Sequence, residues 1–374
     1  MSQLTLSQKK IHAALSTNGA DLGICPAFRA VQPKLNIQIY DELPSTSTQL
    51  WQLLSEGAGA GTVAIAQRQT AGRGQRGRQW HSEPGGLYLS MALEPDWPVA
   101  NAAQLTSISA WGIATALRNL GLPIDVKWPN DLFFHGQKLG GILTETKLAY
   151  TAYTSSDSCQ NGDSAGDLTR ITPRIRQAVI GVGMNWHNPV PQTGTNLATI
   201  FENEPYALIK NKINCLEVLA ALVLKGILQG VLFHQQVGNQ VFMKVYQDLL
   251  TQVGKVVSLG HSERVLEHLR RNSPSRHTEE RSLSPDAQPN AQSSSTFNLV
   301  SGQKQVNRSG EVLGVTEEGY LKVALLENAS GDGLVSYKSS DSKEIASIGP
   351  NPAIQWPRRT GEILLIKPGE IHIS

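Results

Sequence analysis

The sequence predicts an α+β protein that ends in a small β-barrel. Three observations lead to that class. Between residues 36 and 250, short β-branched runs alternate with stretches of helical apolar spacing. Past residue 251 only short strands with glycine turns are legible. Two polar segments, about 151–172 and about 262–308, interrupt the pattern with no apolar period, and they read as insertions without a packed core. The second is expected to be disordered. The expected division is an N-terminal extension at 1–35, a larger domain at 36–250 and a small β domain at 251–374.

The elements follow in order. Lys9 to Ser16 makes a short helix, stopped by Thr17-Asn18-Gly19. Leu35-Asn36-Ile37-Gln38-Ile39-Tyr40 alternates and reads as the first strand. Ser45-Thr46-Ser47 precedes Leu50, Trp51, Leu53 and Leu54, so these hydroxyls suit a helix N-cap. A ligand-facing role is the alternative, because a helix N-terminus also favours anions. Thr62-Val63-Ala64-Ile65-Ala66 is a buried strand and Leu87 to Met91 another. Ala102 to Leu120 is a helix stopped by Gly121 and Pro123. Ile124 to Trp128 is a strand that enters a Pro129-Asn130-Asp131 turn, and a hairpin reverses at His135-Gly136. The returning strand, Lys138 to Glu145, contains Gly140-Gly141, which weakens a strand and so implies close approach by a ligand or another backbone.

Arg176 to Asn185 is a buried strand with Gly181-Val182-Gly183. Asn214 with Glu217 resembles a capping box that opens an apolar helix, Leu216 to Leu228, and a further amphipathic helix ends near Leu250. Val253 to Leu259, Glu311 to Val315, Leu321 to Leu326 and Gly361 to Ile366 are the strands of the small β domain.

Composition bounds the function. The 374 residues suffice for two domains, and 40% hydrophobic content fits a soluble globular protein. A net charge of +2 argues against bulk nucleic-acid or membrane-surface binding, while allowing a local basic patch. Three widely spaced cysteines form no metal or disulfide pattern, which points to a reducing cytoplasm. The first residues lack a signal-peptide pattern, and no apolar run is expected to reach the about 18 residues that span a bilayer.

One stretch stands out between two strands. Gln69-Thr70-Ala71-Gly72-Arg73-Gly74-Gln75-Arg76-Gly77-Arg78-Gln79-Trp80 holds three glycines and three arginines where a short turn would serve. Glycine permits close approach and positive φ, successive N–H groups can form an anion nest, and arginine adds a fork suited to carboxylate or phosphate. It is neither a P-loop nor a good dinucleotide fingerprint. By itself it is also compatible with a solvated basic loop or a nucleic-acid contact.

Four blocks in order resemble the biotin protein ligase family: Ser45-Thr46-Ser47; Gln69 with Gly72 to Arg78; Lys127-Trp128-Pro129-Asn130-Asp131 through Lys138-Leu139-Gly140-Gly141-Ile142-Leu143; and Gly181 to Asn185. They span about residues 40 to 190. The resemblance implies a mixed sheet with helices, like that of class II aminoacyl-tRNA synthetases, followed by an SH3-like β-barrel. It implies that biotin and ATP, with Mg2+, give biotinyl-5′-AMP, and that a lysine of the biotin carboxyl carrier protein of acetyl-CoA carboxylase then takes the biotinyl group. It assigns Ser45, Thr46, Gln69, Gly72, Gly74, Lys138 and Gly141 to biotin, and Arg73, Gln75, Arg76, Trp80, Asn130 and Asn185 to ATP. Asp131 and Asn185 fall on the metal side, and Lys138, Arg73 and Arg76 are the catalytic cations.

Read from residue types alone, Trp128 fits the core as well as a stacking role, and Asp131 fits a turn cap. The chain departs from the family pattern at Gln75, where many members carry a second arginine, and at Ser47, where asparagine is usual. Members that repress transcription carry an N-terminal winged helix. The short N-terminal extension implies an enzyme without that role, with no DNA or membrane partner and a homodimer left open. The alternatives are a lipoate–protein ligase using the same adenylation chemistry, a nucleic-acid-binding module built on the arginine loop, and a non-catalytic carrier-binding protein.

Overall fold

A computed structural model describes residues 6–153, 170–262, 305–326, 359–367 and 372–373. Most of the two polar segments lies outside these residues, and so does the disorder expected of the second. The chain forms two compact units, Met1–Gln252 with Val315–Tyr320, and Val253–Gly314 with Leu321–Ser374.

In the first unit the strands are β1 (Asn36–Leu43), β2 (Thr62–Gln69), β3 (Leu87–Leu93), β4 (Trp97–Pro98), β5 (Ile124–Lys127), β6 (Asp131–Phe134), β7 (Gln137–Tyr153) and β8 (Arg170–Met184). They pair in the order β1-β2-β3-β8-β7-β6-β5, with β4 on β8. β1 and β2 run parallel and the other described pairs antiparallel, so the sheet is mixed as expected. β3 is buried almost end to end and β2 over its first five residues, which is why those stretches read as continuous apolar runs.

The helices are α1 (Gln8–Leu15), α2 (Thr46–Ser55), α3 (Ala102–Asn119), α4 (Leu197–Phe201) and α5 (Leu216–Gln247). Leu50 and Leu54 of α2 pack with Ala64, Ala92 and Val179 on one face of the sheet. α3 and α5 meet where glycines remove side chains: a Cβ on Gly112 would stand 2.0 Å from the Gly226 carbonyl oxygen, and one on Gly230 2.3 Å from that of Ile108. α1 lies on α5, with Ile11 fully buried, so residues 6–35 fold as part of this unit.

The second unit is a five-stranded sheet in the order β12-β11-β10-β9-β13. Its strands are β9 (Val256–Ser262), β10 (Gln305–Val315), β11 (Leu321–Leu326), β12 (Arg359–Ile366) and β13 (His372–Ile373).

Several local expectations are corrected. Ser45 occupies the N-cap of α2 but its hydroxyl makes no cap bond; the Thr46 amide donates instead to the Gln69 side-chain carbonyl at 2.8 Å. The N-cap of α5 is Cys215, and Glu217 is buried toward α1, accepting from the Ser7 amide at 3.3 Å, so Asn214 and Glu217 form no capping box. α5 breaks at Gly238, whose φ of 74° and ψ of 174° are glycine's territory, so its first arm runs on past Leu228 to Val237. That element is long and apolar enough to cross a membrane by length and composition, against the expectation of no such run, yet 67% of its apolar window is buried inside the protein, as in a core helix. The ends of both polar segments are strand: Thr151 pairs with Thr172 and Ser262 with Gln305.

Candidate active site

Backbone register builds the site. Val179, Gly181 and Gly183 alternate onto one face of β8, and Gly141 of β7 lies directly opposite Gly183. α2 covers Val179, and the side chains of Ser47 and Trp80 lie against the two glycines. A Cβ on Gly181 would come within 2.9 Å of the Ser47 hydroxyl, and one on Gly183 within 2.4 Å of the Trp80 indole. The close approach inferred at Gly140-Gly141 is thus partly made by a side chain of the same protein: Trp80 lies across Gly183 and Gly141.

Around Gly181 the site is neutral and polar. The Thr46 hydroxyl stands 2.8 Å from that of Ser90, which stands 3.1 Å from that of Ser47. The Gln69 carbonyl accepts from the Thr46 amide, and the Gln69 amide donates to the Ser82 hydroxyl at 2.8 Å. All four hydroxyl residues are buried.

Two cations stand to either side of that level along β7: Lys138 by Gly141 and Gly183, and Arg73 at Glu145, which faces Val179. Lys138 Nζ lies 2.8 Å from Asp131 and 5.2 Å from the centre of the Trp80 ring. Arg73 donates to Glu145 at 2.6 Å, and the Trp51 indole N–H donates to the same carboxylate oxygen at 3.2 Å. Burial and the neighbouring Arg78 push the Arg76 guanidinium down from its ordinary value.

The loop that carries these arginines is a tight hairpin. Gln69 bridges Ser82 and Arg73 bridges Gln79, and the chain reverses through Arg76 at φ 58° and Gly77 at φ 70°. The amides of Thr70, Ala71, Gly74, Arg78 and Trp80 donate to carbonyls of the protein, so they are spent on the hairpin and its anchors rather than on an open nest. Gly72 is required because a Cβ there would meet the Trp80 carbonyl at 2.4 Å. Gly74 and Gln75 stand at the hairpin tip.

Asn130 and Asn185 hold backbone. Asn130 donates to the Ile142 carbonyl at 2.6 Å, and Asn185 donates to Thr195 at 3.0 Å while accepting from Asn188. Both are buried, and they fix the turn that carries Asp131 and the strand that carries Lys138. Trp128 is core, its indole N–H donating to the Gly319 carbonyl at 3.2 Å.

Three participants escaped the sequence reading: Ser90, Ser82 and Glu145. Ser90 offered one signal, a hydroxyl in the middle of an otherwise apolar strand. Glu145 closed the strand Lys138 to Glu145 and gave none.

A neutral hydroxyl-and-amide cluster beside strand glycines, flanked by Lys138 and Arg73, suits a ligand that combines a neutral polar ring with an anionic group. Residues 40–156 match the Biotin/lipoate A/B protein ligase family. The chain is more particularly similar to biotin ligases. It is 33% identical over 165 residues to the bifunctional ligase/repressor BirA of Bacillus subtilis, covering 43% of this chain and 44% of that one. It is 35% identical over 96 residues to the biotin–[acetyl-CoA-carboxylase] ligase of Paracoccus denitrificans, covering 25% of this chain and 40% of the relative. The chain therefore spans less than half the length of these relatives. The biotin protein ligase of Aquifex aeolicus, solved with biotin and ATP, shares the fold at a TM-score of 0.50 and 19% identity, over 91% of this chain and 98% of that one. The fold is accordingly that of a biotin protein ligase, a class II synthetase-like mixed sheet with helices followed by a small SH3-like β domain.

Proposed function

We propose that the protein activates biotin with ATP to biotinyl-5′-AMP and transfers the biotinyl group to a lysine of a biotin carboxyl carrier protein. The observation that carries this reading is the neutral cluster of Thr46, Ser47, Ser90 and Gln69 beside the glycines of β8, with Lys138 on one side of it along the strands and Arg73, on the loop with Arg76, on the other. The ureido ring of biotin is neutral and rich in donors and acceptors, so it belongs with the hydroxyls. The valerate carboxylate and the ATP phosphates are both anions, so they belong with the cations. In this reading Ser45, Gly72, Gly74 and Gly141 serve biotin, and Gln75, at the hairpin tip, serves ATP.

The chemistry runs in two steps. A carboxylate oxygen attacks the α-phosphorus, the bond from that phosphorus to the bridging oxygen breaks, and pyrophosphate leaves. Lys138 and the arginines offset the repulsion between two anions and stabilise charge on the phosphorus oxygens. The deprotonated amine of the carrier lysine then attacks the acyl carbon, and AMP leaves with the electron pair of the broken acyl–oxygen bond.

Among the described residues no three His, Cys, Asp or Glu side chains gather into a metal cage. That fits Mg2+ carried by the triphosphate with one protein carboxylate, Asp131, beside it. When bound, the ion would neutralise phosphate charge. Asn130 and Asn185 support Asp131 and Lys138 through the backbone they hold.

Trp80 joins the nucleotide side of this reading through Lys138, whose Nζ stands over its ring. A cytoplasmic setting fits the free thiols of Cys25 and Cys215. The pairing of Arg73 with Glu145 favours a ligand site over a nucleic-acid contact, because it ties the loop's cation inward.

The test is biotin-dependent ATP–pyrophosphate exchange, run beside lipoate as competitor. Exchange driven by biotin alone supports the reading. Exchange driven by lipoate alone transfers the same chemistry to the other acid of the family, and no exchange with either refutes it.

A further inference from the structure

Glu145 stands outside the residues that the reaction above uses, yet it joins three parts of the site. It is on β7, the strand of Lys138 and Gly141. Its Oε2 accepts from Arg73 of the loop at 2.6 Å and from Trp51 of α2 at 3.2 Å. α2 is the helix that opens with Thr46 and Ser47. Trp51 is held from a second side, with Lys147 Nζ 4.6 Å from its ring centre. The Glu145 side chain is 27% exposed and that of Arg73 41%. Glu145 is therefore the better anchored partner, fixed by a neutral donor that no anionic ligand competes for.

A guanidinium has five N–H donors in a rigid fork. Glu145 takes one through Nη2 and sets the plane of the rest. We infer that Glu145 is a positioning residue: it orients Arg73 and pins the 70–80 hairpin onto β7, so that retention of the acyl-adenylate depends on this carboxylate through Arg73. The inference rests on the proposed adenylation in its kinetic consequence but not in its structural one.

The charge is the active feature. A glutamine at 145 keeps the size of the side chain and a carbonyl to accept from Trp51, but reduces the Arg73 contact from charge-assisted to neutral. In E145Q the biotinyl-adenylate should leave about tenfold faster, the equivalent of about 1.4 kcal/mol, while the melting temperature stays within a degree or two of wild type, as expected for a half-exposed ion pair.

The decisive measurement is a double-mutant cycle of E145Q with R73Q. If Glu145 acts through Arg73, E145Q accelerates release in the wild-type background and adds nothing in the R73Q background. Equal acceleration in both backgrounds would show a diffuse structural effect and overturn the inference. No change in either would do the same.

A second arm needs no activity. Amide hydrogen exchange across residues 70–80, in protein without added biotin or ATP, should rise in E145Q, rise similarly in R73Q, and rise no further in the double variant. Unchanged exchange in E145Q would remove Glu145 as the pin even where adenylation is observed. Non-additive exchange in a protein that forms no adenylate would retain the pin and reject only the proposed reaction.

Discussion

Lys138 sits between the Asp131 carboxylate and the face of Trp80, with a third of its side chain exposed. Partly exposed ion pairs contribute about 0–1 kcal/mol, so Lys138→Ala is expected to fold with little loss of melting temperature. Adenylate formation should fall by orders of magnitude, because the cation nearest the reacting anions is gone; pyrophosphate exchange alongside a thermal melt checks both halves. Gln75 opens the turn at the hairpin tip, half-buried and next to Arg76, so a charged side chain there would add a second cation to the tip. A charge-assisted hydrogen bond is worth about 1.5–3 kcal/mol against about 0.5–1.5 for a neutral one. Gln75→Arg should therefore slow adenylate release roughly tenfold in a chase with unlabelled biotin, and equal off-rates would place position 75 outside the phosphate shell. The arginines and glycines of this loop were legible in the sequence because their chemistry is local. Trp80 across Gly183 was not, because that contact depends on the register of β7 against β8 and on where the hairpin lands, neither of which a local pattern encodes.

At the scale of single elements, α5 carries two features that differ in kind. Lys225 is buried among Ile24, Phe28, Val31, Leu228 and Leu232, and among the described residues its amine has no hydrogen-bond partner. Burial pushes its pKa down from the ordinary lysine value. The unfolded chain thus binds the proton more readily than the folded one. The penalty from Lys225 is present in full below its folded-state value and is relieved as pH rises toward the ordinary lysine value. Lys225→Met keeps the packing stem and removes the unpaired group, so it should stabilise by about 1–3 kcal/mol at neutral pH and lose the part of the alkaline rise in stability that Lys225 contributes. Denaturant titrations at neutral and alkaline pH would show both effects. The glycines at the α3–α5 crossing act through space instead. Gly112→Ala would drive a methyl into the Gly226 carbonyl, and overpacking of this kind costs typically about 1–3 kcal/mol. The apolar face of α3 was plain from its spacing, with Gly112 on it. That Gly112 meets Gly226 and Gly230 is a tertiary fact with no trace in either helix alone.

Across the whole molecule, what the sequence made legible was the kind and order of the longer elements, while the short α4, β4 and β13 left no signal; what it hid was which ends meet. The two polar segments illustrate this. Read as composition they are gaps, yet each is bounded by paired strands, Tyr153 with Arg170 and Ser262 with Gln305. β9 and β10 keep antiparallel register from Ser262↔Gln305 to Val256↔Glu311, so Ser262 and Gln305, the described ends that flank the segment, are adjacent backbone positions. A connection between adjacent ends need not be long. Residues 263–304 carry no apolar period in the sequence, and closure entropy grows only with the logarithm of loop length, about 0.6 kcal/mol per doubling. Replacing them with a four-residue Gly/Ser linker is roughly a tenfold shortening, so the β9–β10 hairpin should gain about 2 kcal/mol from cheaper closure. Biotin-dependent pyrophosphate exchange should be unchanged, since the candidate site is built from the first unit. The measurement is a thermal melt of the shortened chain beside the full one, with exchange activity on the same samples. A melting temperature equal or higher, with intact exchange, is the expected outcome. A clear drop would show that residues 263–304 make contacts that stabilise the second unit. Lost exchange at an unchanged melting temperature would show instead that the segment serves the reaction.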